Sequence, residues 1–293
     1  MYTATFDQSQ KRERTQLILK RVTNLSPVPQ ILSEVLELLK DLNTSPQTLA
    51  KAITKDQSIV VKILTIANSP FYGLAKRVSS IEYAIMILGF NEIRNIVTAL
   101  SLMESMKNKS DEYMNQKDFW THAYITATIA KKIADDMGIK QSNDAFIGGL
   151  LHDLGISVIH RYLHSDFVSI TEAVAKGATY SEAENNLLGM DHQNIGYILL
   201  KSWNIPEHFC EIVKYHHTPQ FAYNSKVLTS VVHLADYMTQ KLKLGFFSWD
   251  DDAPLSQEAT TTLQFKDQEE VDKFIELYRE PVRLQLESLR FLN

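Results

Sequence analysis

The sequence predicts an all-helical protein, an N-terminal helical bundle packed on a second bundle rich in histidine. Three observations predict it. Ten glycines and eight prolines in 293 residues are few breakers, so the elements between them should be long and regular. Apolar residues recur at three- and four-residue steps, the period of amphipathic helices, and no stretch in the first half sustains two-residue alternation. A 44% hydrophobic and 22% charged chain of this length can bury a sizeable core in two helical layers.

Residues 1–24 read as a tail or helix whose basic run (Lys11, Arg12, Arg14, Lys20, Arg21) is interrupted by Glu13. That pattern fits a solvated face better than a phosphate-binding arm. A helical subdomain is expected over 25–107. After Pro27 and Pro29, Leu32, Val35, Leu36, Leu39 and Leu42 form one stripe. Ser45-Pro46 opens the next helix, serine as N-cap and proline at the first helical position. Ile59, Ile63 and Ile66, with Val60, Leu64 and Ala67, are apolar around much of a helix and predict burial. Ser79 and Glu82 have capping-box spacing ahead of Ile81–Leu88, and Gly89 suits a left-handed stop. Asn91 is the expected cap of a fifth helix through Ile93, Ile96, Val97, Leu100 and Met103.

The polar interval from Lys107 to Asp118 is the expected boundary to a second subdomain over 108–241. Its first helix carries His122, Ile125, Ile129, Ile133 and Met137 on one face and ends at Gly138. Asp144 is the expected cap of AFIGGLLHDLG. Further helices are expected from Ser181 to Leu188, Asp191 to Trp203, Pro206 to about His216, and Val227 to Lys241. Residues 242–293 form a C-terminal extension: an acidic loop over 246–262, then a helix capped by Asp267 and Glu270 and kinked or broken at Pro281.

A net charge of −5 argues against nucleic-acid binding through the overall field. No apolar run approaches the roughly 18 residues a membrane span needs, and the polar start lacks a signal-peptide core. The expectation is a soluble cytoplasmic protein with no membrane and no nucleic-acid partner. Cys210, the one cysteine, lies between Phe209 and Ile212 in the pattern of a small core residue.

Five histidines and two aspartates carry the chemistry. His122 is in register with buried isoleucines; His152 and Asp153 are adjacent; His192, the pair His216-His217, and Asp236 within VVHLADYM follow. Adjacent helical residues project about 100° apart, so His152 and Asp153 can reach one cation, with His122 and Asp236 from neighbouring helices of a bundle. Imidazole with carboxylate suits Zn, Mn, Fe, Ni or Co, and Mg where carboxylates dominate. Two ions about 3.5–4 Å apart can clamp a phosphoester, with Asp153 as bridge. A lone histidine on an apolar face is more often a hydrogen-bonded core residue. The combination is more specific, because a buried Asp236 needs a partner. His160, His164, His208 and His233 read as surface or packing residues. Gly148, Gly149 and Gly155 suit close helix contacts as readily as substrate access.

Together these residues resemble the HD superfamily of metal-dependent phosphohydrolases. ITKDQSIVVKILTIANSPFYGLAKRVSSIEYAIMILGFNEIRNIV, AFIGGLLHDLG, DHQNIGYILLKSWNIPE and Tyr215-His216-His217 resemble the HDOD family, the HD-related output domains of bacterial signalling. The likeness covers approximately Leu25 to Asp236, with Asp56-Gln57 in place of the usual Asp-Pro. It implies His122, His152, Asp153 and Asp236 as a first divalent-metal site, and His192, His216 and His217 as further ligands. It also implies a signal-transduction output module acting on a protein partner or a small nucleotide. The alternative is a phosphohydrolase acting on a phosphoester, with Asp153 catalytic. Enzymes of the superfamily that cleave cyclic di-GMP carry a lysine shortly after the His-Asp pair and Gly-Tyr-Pro after the His-His pair. Here Ile156 stands in the first place, and HHTPQFAYNSK lacks the second. Phe71, Tyr72, Lys76 and Arg77 are candidates for a partner surface, though Phe71 and Tyr72 are somewhat better suited to plug the N-terminal bundle.

Overall fold

A computed structural model of the chain describes residues 8–25, 30–41, 43–68, 72, 74, 76–105, 108–243, 247–250 and 253–290. Among these the regular elements are all helices. The first group is α1 (Gln8–Leu25), α2 (Gln30–Lys40), α3 (Pro46–Ile53), α4 (Gln57–Ala67), α5 (Ile81–Leu88) and α6 (Phe90–Ser105). The second is α7 (Gln116–Asp136), α8 (Ser142–Leu151), α9 (Leu154–Tyr162), α10 (His164–Ala175), α11 (Tyr180–Leu188), α12 (His192–Ser202), α13 (Glu207–Tyr215) and α14 (Lys226–Lys241). A short α15 (Gln257–Thr262) and a long α16 (Gln268–Arg290) complete the chain. Pro27, Pro29, Leu42, Ser69, Phe71, Gly73 and Lys107, and the side chains of Leu32, Leu36 and Met103, lie outside what is described. None of the described helices is long and apolar enough to cross a membrane.

Local chemistry sets most boundaries. Ser45 accepts from the Thr48 N–H to start α3, and Asp56 accepts from Ser58 and Ile59 to start α4. The cap of α5 is Ser80 rather than Ser79, because Ser80 is the extended residue whose Oγ accepts from the Tyr83 N–H. Gly89 takes φ 85° and joins α5 directly to α6, which starts at Phe90. Asn91 therefore lies inside the first turn and caps nothing. Asp144 is likewise inside α8, where its charge still favours the N-terminal dipole. Asp267 caps α16 as its spacing suggests, but α16 runs through Pro281 as one helix rather than breaking there.

Three helices went unread. In α9 every residue from Leu154 to His160 is buried, which erases the periodicity that betrays a helix. In α10 only Phe167 and Ile170 are buried, too few to make a stripe. The six-residue α15 occupies the end of the stretch expected to be loop.

The core centres on α7, which packs on α8 and α14 and carries α16 on its outer side. Beside it α12 lies against α9 and α13, while α6 on α8 joins the first group of helices to the second. Two close approaches tighten this frame. A Cβ at Gly149 would stand 2.7 Å from the Ala127 Cα on α7, and one at Gly155 1.9 Å from the His192 carbonyl oxygen on α12. Glycine at these positions lets backbone meet backbone. Tyr72 is half-buried: its hydroxyl donates to Glu92 and Lys131 lies over its ring, so it packs onto this frame.

Candidate metal centre

The structure brings His122, His152, Asp153 and Asp236 together from α7, the α8–α9 joint and α14. His122 Nε2 lies 3.5 Å from Asp153 Oδ2 and 3.2 Å from Asp236 Oδ1. His152 Nε2 lies 3.1 Å from Asp153 Oδ2 and 3.6 Å from Asp236 Oδ1. α8 ends at Leu151 and α9 begins at Leu154, and the two-residue turn between them aims both members of the pair at one point. The other oxygen of Asp153 faces a second group: Oδ1 is 3.7 Å from His192 Nε2 and 3.5 Å from His216 Nε2. His192 heads α12, behind its Asp191 cap, and His216 ends α13. His217 lies beside His216 and His192, with ring centroids at 4.1 and 5.3 Å.

The imidazoles are pinned by their outer nitrogens. Nδ1–H of His152 donates to the Gly149 carbonyl at 2.8 Å, and that of His216 to the Val213 carbonyl at 2.8 Å. His192 Nδ1 lies 2.9–3.0 Å from both oxygens of Glu184. A carbonyl only accepts, so His152 and His216 carry a proton on Nδ1 and turn Nε2 inward, the orientation of metal-binding histidines. His192 and His216 bring their Nε2 atoms to 3.3 Å of each other. His152 Nε2 and Asp236 Oδ1 are buried and form no hydrogen bond among the described residues. Donors 3.1–3.7 Å apart yet misaligned for hydrogen bonding are spaced to face a shared cation. The residues fit a divalent metal.

The electrostatics agree. Burial pushes Asp153 and Asp236 up, but the facing imidazoles more than reverse it and hold both well below the ordinary aspartate range. Burial and then His217 push His216 well below the ordinary histidine value. Against its burial, Glu184 and Asp250 lift His192 well above that value, so this space draws positive charge. Against their burial, Asp153 and Asp236 likewise raise His122 and lift His152 to about 10, so two anionic carboxylates and a neutral His216 stand ready at pH 7 while an incoming ion must displace protons from the other imidazoles.

Glu184, Trp249 and Asp250 were missed from sequence. Glu184 is fully buried on α11 and accepts from His192 Nδ1, from the His192 N–H at 2.9 Å and from Trp249 Nε1–H at 3.0 Å. Its signal was register: it stands four residues before buried Leu188. Asp250 Oδ2 lies 3.1 Å from His217 Nε2 and 3.6 Å from His192 Nε2.

The other histidines behave as packing or surface residues. His233 is buried, with Nδ1–H donating to the His216 carbonyl at 2.7 Å and Nε2 accepting from the Ser256 N–H. His208 is partly exposed, 3.8 Å from Asp144. Asp111, His160 and His164 form a third cluster, but hydrogen bonding accounts for it. The Asn108 amide N–H₂ donates to the Ser157 carbonyl and to His160 Nδ1, so His160 Nε2 carries the proton and donates to Asp111 at 2.8 Å. Cys210 is buried, its thiol pushed up to about 11 by burial, far from nucleophile range.

A cleft of about 390 Å³ reaches the centre at His192, His217 and Asp250; among the described residues its lining also includes Asp191, Tyr180 and Thr218 but no lysine or arginine. A larger cavity of about 510 Å³ lies between α7 and α16 and touches none of the clustered histidines.

An all-helical bundle closing on a buried histidine–aspartate centre defines the class. The HDOD domain model matches residues 25–219, and the chain belongs to that family. The match ends before Asp236 and Asp250. An uncharacterized protein of Treponema pallidum is 24% identical over 261 residues, covering 88% of this chain but 49% of that protein; the chain thus spans about half the length of this curated relative. Among solved structures, an HDOD domain protein of unknown function from Geobacter sulfurreducens shares the fold with TM-score 0.73 at 24% identity, over 94% of this chain and 97% of that one. A provisionally named phosphohydrolase from Shewanella amazonensis follows at 0.71 and 22%, over 93% and 97%. A provisionally named signal transduction protein from Marinobacter aquaeolei matches at 0.70 and 20%, over 99% and 68%.

Proposed function

We propose that this chain is a signalling output module built on a two-cation histidine–aspartate centre, acting by binding a protein partner or a small nucleotide rather than by turnover. His122, His152, Asp153 and Asp236 would hold one divalent ion and His192, His216, His217 and Asp153 a second, supplying Lewis acidity and charge neutralisation when bound. The chain's own residues do the rest. Gly149, Val213 and Glu184 fix the imidazoles, and Asp153 spans both halves.

The observation that carries the binding reading is the charge of the approach. The cleft holds Asp191 and Asp250 and no lysine or arginine among its described lining residues, and buried Ile156 stands where the cyclic di-GMP enzymes carry lysine. A phosphoester arriving there meets carboxylates, and beyond the bound ions no lysine or arginine of the cleft would steady its developing charge. The name of the Marinobacter relative supports the same reading.

One feature favours hydrolysis as a second reading: the cleft does reach His192 and His217. Asp153, between both halves, would then be the catalytic carboxylate. The test is elemental analysis of the purified chain beside an assay with cyclic dinucleotides and a chromogenic phosphodiester. About two divalent ions per chain and no turnover are expected. Turnover near 1 s⁻¹ or faster, within the usual enzymatic range, that disappears in His152→Ala would overturn the binding reading.

A further inference from the structure

We infer that Asp250, supplied by the segment after α14, is a ligand of the second cation position, completing a donor set with His192, His216, His217 and one oxygen of Asp153. This deepens the two-cation reading and rests on it.

The first argument is the gathering of carboxylates. Nδ1–H of His216 is committed to a carbonyl and that of His192 to Glu184, and their Nε2 atoms meet at 3.3 Å, within hydrogen-bond reach. Into the same space point Asp153 Oδ1 and Asp250 Oδ2, at 3.7 and 3.6 Å from His192 Nε2. Two carboxylates brought to one buried imidazole concentrate negative charge that only something positive offsets. An ordinary ion pair of Asp250 with His217 does not account for the contact. His217 Nε2 is buried and lies 3.1 Å from Asp250 Oδ2, yet it forms no hydrogen bond among the described residues. The two atoms are neighbours without sharing a proton, as two ligands of one ion are.

The second argument is how firmly the carboxylate is placed. Trp249 is buried, stacks on Tyr180 at 4.1 Å and on Phe167 at 4.9 Å, and donates to Glu184. Glu184 is also the partner of His192 Nδ1, so consecutive residues of one segment grip the outer and the inner side of the same imidazole. Asp250 itself takes φ 59°, a conformation that Asp tolerates better than most residues, and the Ala253 N–H closes the turn on its carbonyl at 2.8 Å. The residue lies 31 positions beyond the end of the family match at 219, on a part of the chain the sequence presents as an acidic loop.

The experiment is calorimetric titration of metal-free full-length protein with Mn²⁺ alone, comparing wild type with Asp250→Asn. Asparagine accepts the same backbone at least as readily, and Asp250→Gly, free of strain there, serves if the first variant fails to fold. Wild type should bind two ions. The variant should keep the site of His122, His152 and Asp236 and bind the other ion at least tenfold more weakly, since loss of even an outer-shell partner costs about 10–100-fold. Two ions at unchanged affinity in the variant would overturn the assignment of Asp250 and leave the two-cation centre standing. No ions in wild type would overturn both. Loss of both ions from a variant with wild-type circular dichroism would overturn the assignment to the second position.

Discussion

The joint between α9 and α12 is where the centre can be broken without touching a donor. Gly155 lies two residues after Asp153. A Cβ there would stand 1.9 Å from the His192 carbonyl oxygen and 2.7 Å from its carbon, against the 3.0 Å that real Cβ contacts respect. Gly155→Ala must therefore drive the two helices apart by about 1 Å. The obstacle is backbone at the head of α12, which cannot swing aside as a side chain can. Overpacking costs about 1–3 kcal/mol, and a backbone obstacle places this substitution at the upper end. At roughly 2–4 °C per kcal/mol for a chain of this order of size, the melting temperature should fall by about 6 °C or more.

The same displacement carries the His192 imidazole away from His216 and Asp153. Gly155→Ala should thus weaken one of two metal-binding steps in a Mn²⁺ titration while sparing the other. Gly148→Ala is the control: its Cβ meets side chains only, the Ile212 methyls at 2.9 and 3.1 Å and a Val232 methyl at 3.3 Å, which can give by a few tenths of an ångström where backbone cannot. It should melt within about 3 °C of wild type. A Gly155→Ala protein that melts within a degree of wild type and titrates identically would refute the claim that this contact positions His192.

Two further outcomes follow from the same structure. Chelation should lower the melting temperature, because an ion at a thousand times its dissociation constant stabilises the fold by about 4 kcal/mol; identical scanning-calorimetry traces with and without EDTA would contradict the metal reading. Glu211 accepts from the Tyr223, Asn224 and Ser225 N–H groups at 2.6, 3.1 and 2.7 Å. Burial pushes its pKa up, but these donors pull it below the ordinary 4.5. A depressed carboxylate contributes stability that is fully present above that ordinary value and is lost as pH falls through the folded one. Glu211→Gln should therefore flatten the acid limb of a stability–pH curve below about pH 4.5, and an acid limb as steep as that of wild type would count against the assignment.

What the sequence disclosed, and what it hid, follows from the range of the interactions involved. His152-Asp153 declared itself because adjacent ligand types need no folded partner to be noticed, and His122 and Asp236 stood out as polar residues in apolar helical register. The helices themselves were legible where a buried stripe of several residues stands against a wet face, which α10 with its two buried residues lacks. Where α9 is buried on all sides the periodicity vanished, so Gly155 could be read as suited to a close helix contact but not as the meeting point of α9 and α12. Ser79 and Ser80 are chemically identical, and only backbone conformation decides which one caps α5.

Asp250 marks the limit. No spacing rule ties it to His217, 33 positions earlier; the link is made by Trp249 reaching Tyr180 on α11 and Phe167 on α10, elements whose placement is itself tertiary. In sequence Asp250 and its acidic neighbours look like solvated charge. In the fold one of them is carried inward by the tryptophan beside it. A buried aromatic within an exposed-looking acidic run is therefore the signal that a carboxylate of that run is used internally. By the same logic Glu184, flanked by Glu182 and Asn185 yet four residues from Leu188, belongs to the apolar side of α11. Both carboxylates were legible only through the apolar residues that carry them.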